Sequence, residues 1–440
     1  MRSIPLLVLL VLCTPALGQT AGKAPADSAA HHREIKVDAS LTTRWEFRDG
    51  GMTTYDDDMV SLPASFFYSR TRINAHYSQD WLTVHISPQH QNIWGQTGGG
   101  NFSLYEGWAR FDTHFGLFFK VGRQELAYDD QRIIGADDWT MLASCHDVVK
   151  AGFESRHHSV HGIFAFNQNE VKISGGTWYE DGGEPYKFME TLWYHYDANP
   201  VPLSASLLFM NIGMQSGTPT DYHTENQQLL GTFVKFNPQK FSVEASYYRQ
   251  MGHEENGMQI DAWMASAKLQ YKPSDRWTLT GGYDYMSGDE DFILPEQGQI
   301  GLIQKTKVRG FSPLFGAHHK FYGAMDFFYV QTYYGCFTPG LQNAYAGVQY
   351  SPVPDVLSIS ANYHYLAVAV PLNNAAPTLG HEAEVSASWQ FHKFASLQAG
   401  YTGLFGADTM TKLKRGNGSK NLHWIWVGMS VTPTFLNAKL

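Results

Sequence analysis

The sequence predicts an all-β fold: a transmembrane antiparallel β-barrel of about 18 strands, with long loops on one side and some of them folded into the lumen. Three observations predict it. The chain opens MRSIPLLVLLVLCTPALGQT, with one Arg, an apolar run from Ile4 to Leu12, and small residues at Ala16 and Gly18. That is the pattern of a secretory signal peptide, with cleavage expected after Gly18. Aromatic residues make up 14% of the chain and charged residues only 17%, against about 25% charged in soluble domains. Yet no later stretch approaches the roughly 18 consecutive apolar residues that a membrane-crossing helix needs. Finally, strict alternation of apolar and polar residues dominates from Ile35 onward, which is the period of a strand.

Residues 1–18 are therefore read as the signal peptide, 19–33 (QTAGKAPADSAAHHR) as a flexible polar arm, and 34–440 as one outer-membrane barrel domain. The His31–His32 pair in the arm is read as solvated. In IKVDASLTTRWEF, Ile35, Val37, Ala39, Leu41, Trp45 and Phe47 share one face, with Lys36, Asp38, Ser40, Thr42, Arg44 and Glu46 on the other. AWMASAKLQY sets Trp263, Ala265, Ala267, Leu269 and Tyr271 against Met264, Ser266, Lys268 and Gln270. WTLTGGYDY and VLSISANYHY repeat the arrangement. The apolar faces begin or end in Trp or Tyr, as interfacial girdles require, and the polar faces suit a watered lumen. A strand in lipid must pair all its backbone groups, so the sheet must close.

Strand centres are expected near residues 41, 71, 84, 107, 119, 150, 163, 193, 206, 232, 245, 265, 281, 345, 361, 386, 399 and 427. Short turns at FNPQKF (Phe236 to Phe241) and YKPSDRW (Tyr271 to Trp277) alternate with long loops at 48–63, 121–146, 168–188, 212–226, 287–340 and 406–421. The Gly-rich stretch Ser87 to Asn101 is read as a mobile turn or inward loop. Cys13 leaves with the signal peptide, and Cys145 and Cys336 remain, a disulfide between them left open.

Parity sends Lys36, Arg44, Arg48, Arg70, Arg72, Arg110, Lys120, Lys150 and Lys268 into the lumen, together with Asp38, Glu46, Glu106, Glu244, Asp284 and Glu384. Bases outnumber acids there, although the chain carries a formal charge of −9. A lumen lined with one sign selects the other, and Arg grips carboxylates in a two-point fork. The competing reading is that these groups only brace neighbouring staves. In KVGRQELAYDDQRIIGADDW (Lys120 to Trp139) the parity of Leu117, Phe119 and Val121 would put Arg123 into lipid. The strand is therefore expected to end at Gly122, and Arg123 to Asp147 to form a loop folded into the mouth or lumen. Arg123 and Arg132 join the conduit set, and Glu106, Glu125, Asp129, Asp130 and Asp147 the gate network.

That stretch, with HDVVKAGFE after it and EGWARF before it, resembles the alginate-export family of outer-membrane porins. So do SAKLQYKPSDRWTLTGGYDYMSGD and FSPLFGAHHKFYGAMDFFYV. The resemblance implies a monomeric 18-stranded barrel with an Arg-rich conduit for a polyuronate such as alginate, in which Arg123 and Arg132 take part.

The expected function is an outer-membrane channel for diffusion or export of an anionic solute. Outer-membrane lipid and periplasmic export components are its partners, with no role for nucleic acid. Alternatives are a general or nutrient-uptake porin, a plugged structural barrel, and an acyl hydrolase or transferase barrel. For the last, Ser144, His146 and Asp147 lie in one run, but G-x-S-x-G and H-E-x-x-H are absent. No catalytic or metal site and no cofactor is expected. Calcium on Asp56–Asp58 and Asp289–Asp291 is the minor alternative to solvated loops.

Overall fold

The computed structural model describes residues 33–50, 62–179, 182–290, 306–328, 338–373, 375–414 and 421–440. Residues 1–32, on which the expected signal peptide and most of the expected arm fall, lie outside the described residues, as do Asp56–Asp58, Asp291 and Cys336.

The strands are β1 (Arg33–Asp49), β2 (Ala64–Gln79), β3 (Leu82–Ile93), β4 (Asn101–Asp112), β5 (Leu117–Gln124), β6 (His146–Glu154), β7 (His158–Phe166), β8 (Phe188–Asp197), β9 (Leu203–Thr218) and β10 (Asp221–Phe236). They continue as β11 (Phe241–His253), β12 (Gln259–Ser274), β13 (Trp277–Met286), β14 (Leu341–Val353), β15 (Leu357–Ala367), β16 (Thr378–His392), β17 (Ala395–Gly406), β18 (Leu422–Val431) and β19 (Thr434–Lys439). Each anticipated centre falls inside one of them. Among the described residues the one α-helix, α1 (Asp408–Lys414), follows β17, and a 3-10 turn spans His318–Lys320.

Each strand from β1 to β17 pairs antiparallel with the next, and β1 pairs with β2 on one edge and with β18 and β19 on the other. Between β18 and β19 stands Pro433, which has no N–H to give the ladder; its carbonyl instead accepts the Ala39 N–H at 3.0 Å. The two segments are one interrupted stave, so the molecule is a closed barrel of 18 staves with no free edge.

Burial runs inside-out. Leu269 and Ile359 are 48% and 42% exposed, whereas Asp284 is 2% exposed. The alternation thus puts the apolar face on the lipid side and the polar face within. Aromatic pairs ring both ends of the apolar band. Trp277–Tyr350, Phe241–Tyr271 and Trp81–Phe111 mark the short-turn end, and Phe67–Trp94 and Trp263–Tyr285 the long-loop end.

Three expectations are corrected. The stretch 212–226 is no long loop: β9 and β10 run on as a hairpin closed at 219–220. β3 continues through Ile93, so the connection within the Gly-rich stretch is only 94–100. β5 does not end at Gly122. This residue has φ of +122°, and a Cβ there would lie 2.2 Å from the Gly107 carbonyl. Only glycine lets the strand stay against β4 at that point and continue to Gln124.

The inner wall near the long loops is also less polar than parity implied. Met189, Met210, Met264 and Met286 point inward and are fully buried, with Leu126, Ile133, Ile134, Phe311 and Tyr322 against them. Two inner loops supply that apolar mass: 125–145 and the described part of the β13–β14 connection, 306–328. The described core of the barrel is thus a plug held against the wall.

Candidate functional site: the inner loops and the basic wall

The two inner loops are joined backbone to backbone. Gly135 N–H donates to Phe315 O at 2.8 Å, Phe315 N–H to Ile133 O at 2.9 Å, and Ala317 N–H to Gln131 O at 2.9 Å. The second loop is tied to the wall where Asp261 N–H donates to Val308 O at 2.8 Å.

Arg132 is the junction of the two loops and the wall. Its guanidinium pairs with Asp130 at 3.1 Å and with Asp284 of β13 at 3.2 Å, and donates to the Tyr322 hydroxyl at 3.0 Å. It also lies over the Phe321 ring at 4.2 Å. Arg132 is buried, and Asp284 and Asp130 hold its charge firmly against that burial. It was expected to line the conduit. The buried carboxylates instead make it a clamp, because a buried cation must be paired.

Arg70 and Arg72 on β2 hold the far limb of the first inner loop. They reach Asp138 at 2.9 and 3.4 Å, and Arg70 also donates to the Thr140 carbonyl. Arg44 donates to the Trp139 carbonyl at 3.1 Å and lies 4.3 Å over its ring. Glu46 takes Arg44 at 2.7 Å, Arg48 at 2.8 Å and the Trp424 indole N–H at 3.0 Å. These four arginines face inward as predicted, but each is engaged by an acid or by the loop. For this part of the ladder bracing is the observed role.

Staves β4, β5 and β6 differ. Arg110 of β4 stands directly opposite Lys120 of β5, and Lys120 opposite Lys150 of β6. Like charges opposed across strands repel. Arg110 is relieved by Asp112 at 2.7 Å and Glu154 at 2.9 Å. Lys120 lies over the Trp108 ring at 3.7 Å, and Lys150 donates to the Tyr128 hydroxyl at 3.3 Å. A three-cation row thus lines the inner wall with aromatic and hydroxyl partners on two of its members.

The gate residues divide. Glu106 accepts the Glu125 backbone N–H at 3.1 Å, and Glu125 accepts the Tyr105 hydroxyl at 2.7 Å, so both anchor the start of the first loop. Asp129 takes the Trp193 indole N–H at 3.1 Å and the Ser206 hydroxyl, and Asp130 serves Arg132. Burial raises the carboxyls of Glu125, Asp129 and Asp137 above their ordinary range. Asp147 and Arg123 do not join them. They pair at 2.8 Å on the outer face of β6 and β5, where the strand register keeps them. Arg123 is thereby removed from the conduit, and its charge is met at the rim by Asp147. The sequence signal lay in Asp147, which shares the parity of Val149 and Ala151.

The same register separates the Ser-Cys-His-Asp run. His146 points inward to the Tyr186 hydroxyl at 2.8 Å, while Asp147 points out, so the two cannot converge as a triad requires. Asp289 is 1% exposed and accepts the Arg309 N–H at 2.7 Å and the Thr338 N–H at 3.1 Å. It braces a loop through those backbone bonds. Among the described residues no group of three or more His, Cys, Asp or Glu is placed to hold a metal.

Cys145 is a buried free thiol at the end of the first loop, and burial pushes it up to about 12. Thiolate is the reactive form. Maleimide at pH 8 is therefore expected to leave the Cys145 peptide unmodified in the folded protein and to label it after denaturation, as read by peptide mass. Fast labelling of the folded protein would show that the loop is not docked.

Closed staves, an inward polar face and a lumen crossed by two loops define an outer-membrane channel of porin architecture. Comparison with known proteins places it further: the alginate-export family model matches residues 101–332, and the chain belongs to that family. No curated protein matches it. Among solved structures the chain is similar in fold to OccK11 (OpdR) of Pseudomonas aeruginosa, with 12% identity and a TM-score of 0.59, covering 91% of this chain and 96% of that one. It is likewise similar to OccAB4 of Acinetobacter baumannii, at 13% identity and a TM-score of 0.57, covering 91% and 98%. A BenF-like porin from Pseudomonas fluorescens Pf-5 matches at 11% identity and a TM-score of 0.59, covering 91% and 99%.

Proposed function

We propose that the channel passes an acidic solute, most naturally a uronate oligomer of the alginate type, along the face formed by β4, β5 and β6. The observation that carries this reading is the row Arg110, Lys120 and Lys150. Arg110 is met by Asp112 and Glu154, but Lys120 and Lys150 face each other with no carboxylate partner among the described residues, and an anion between them would relieve their repulsion. A solute carboxylate is such an anion. Trp108 beside Lys120 and Phe118 beside Arg110 add ring faces along the same path. The family's name, alginate export, agrees with the solute class. A general small-solute porin is the second reading, favoured by the neutralisation of Arg44, Arg48, Arg70 and Arg72 by Glu46 and Asp138.

Reversal potentials across a planar bilayer under a KCl gradient separate the two. Chloride preference is expected, with block by uronate oligomers added to one side. Lys120→Glu with Lys150→Glu should abolish or reverse that preference. Arg123→Gln, on the outer face, should leave it unchanged. Cation preference in the unaltered channel, or selectivity indifferent to the double change, would leave the general porin.

A further inference from the structure

The short-turn end of the lumen carries a second basic corner, on staves β10, β11 and β12. The β10–β11 hairpin turns at 237–240. Just past it, Phe241 of β11 stands opposite Tyr271 of β12, and the two rings stack on the lipid side. Ser242 and Gln270, the next opposed pair, therefore face inward. One step to the other side, Lys272 N–H donates to Lys240 O at 2.8 Å, so the ladder extends to this pair as well. Alternation sets both lysines on the inward face with Ser242 and Gln270. Together with Lys235 of β10 and Asn237 they line a recess of about 200 Å³.

Glu244 is the acid of this corner, and it is already taken. Lys235 reaches it at 2.8 Å and Lys268 at 3.1 Å. Lys240 and Lys272 are exposed and meet no carboxylate among the described residues. In this they differ from Lys120 and Lys150, which lean on the Trp108 ring and the Tyr128 hydroxyl. Two ammonium groups side by side on one face of a strand pair repel each other. Both line one concave recess, and a cleft lined by one sign of charge concentrates ions of the other. Asn237, exposed on the same recess, adds an amide donor without adding charge.

We infer that this recess is an oxyanion-binding station at the short-turn mouth, where a carboxylate of an acidic oligosaccharide sits between Lys240 and Lys272. Short turns face the periplasm in barrels of this kind. Solute arriving from the periplasm meets the station directly, whereas solute from the long-loop side must first pass the inner loops. Capture is therefore one-sided. The identity of the solute rests on the anion-channel reading above; the site itself follows from the two open lysines.

Reductive methylation of the full chain, folded in detergent and read by peptide mass, tests binding at the lysines themselves. Trigalacturonate is expected to protect Lys240 and Lys272 and to leave Lys393, exposed in the β16–β17 turn, fully methylated. Maltotriose should protect none of them. Absence of protection, equal protection of all three, or protection by inorganic phosphate and not by the trisaccharide would each overturn the inference. In planar bilayers trigalacturonate should block from one chamber at a concentration about tenfold lower than from the other, the scale on which a charged cleft speeds capture. Lys240→Gln with Lys272→Gln should remove that difference. Symmetric block in the unaltered channel, or an asymmetry that survives the double change, counts against the station. The two readings fail separately. A cation-preferring channel with protected lysines sinks the anion channel alone, and a chloride-preferring channel with unprotected lysines sinks the station alone.

Discussion

Replacing Arg132 by Met is expected to open the channel. Single-channel conductance should rise at least about twofold, with the barrel still folded. The side chain is 3% exposed and serves three elements: its own loop through Asp130, the second inner loop through Tyr322, and stave β13 through Asp284. Met is close in volume and keeps contact with Phe321, so the change removes charge and hydrogen bonds rather than packing. Removing one member of a buried ionic network costs about 3–5 kcal/mol, because the remaining charges are left uncompensated. Asp130 and Asp284 could then regain water only by parting, and parting means undocking the loop from the wall. The barrel's own ladder does not pass through Arg132, so its melting should change far less than its conductance. Arg132→Lys should fall between, since an ammonium cannot bond both carboxylates in the fork geometry of a guanidinium. Conductance unchanged in Arg132→Met would mean that the loops stay docked through their apolar contacts and backbone bonds alone.

The second large effect concerns the seam where the barrel closes. Glu46 of β1 is 2% exposed and accepts from Arg44, Arg48 and the Trp424 indole of β18. It is the buried polar tie between the first and last staves, beside the part-buried Thr42–Ser430 hydroxyl pair at 3.1 Å, and Arg48 covers the same indole at 4.4 Å. Glu46→Ala leaves two inward arginines without their acid, at about 3–5 kcal/mol. The temperature at which the folded form loses its compact mobility on a detergent gel should fall by about 10 °C, taking roughly 2–4 °C per kcal/mol. Glu46→Gln keeps two acceptor lone pairs and should fall less. The Ala variant melting with the unaltered protein would show that backbone pairing alone secures the seam.

These two sites show how far the sequence could be read. Alternation such as Trp263, Ala265, Ala267 and Leu269 against Met264, Ser266 and Lys268 already carries sidedness, because successive side chains on a strand must face opposite ways. Glu46 was therefore legible as lumenal next to Arg44. Its bond to Trp424 was not, since 378 residues separate them in the chain. Arg123 was misread for a local reason: the freedom of Gly122 to carry β5 onward cannot be told from a strand end. Arg132 was misread for a longer one, because nothing near it announces Tyr322 or Asp284. The inward methionines looked like lapses in a polar face until the loops were seen to need an apolar surface.

By itself, then, the sequence determined the barrel, the place of its staves and the inward direction of its wall charges, all of which follow from the two-residue period of a strand. Only the tertiary structure decided which of those charges are spent on holding the inner loops and which remain on the wall for a solute. That outcome depends on loops packed across a closed barrel, where partners are set by distance through the lumen and not by distance along the chain.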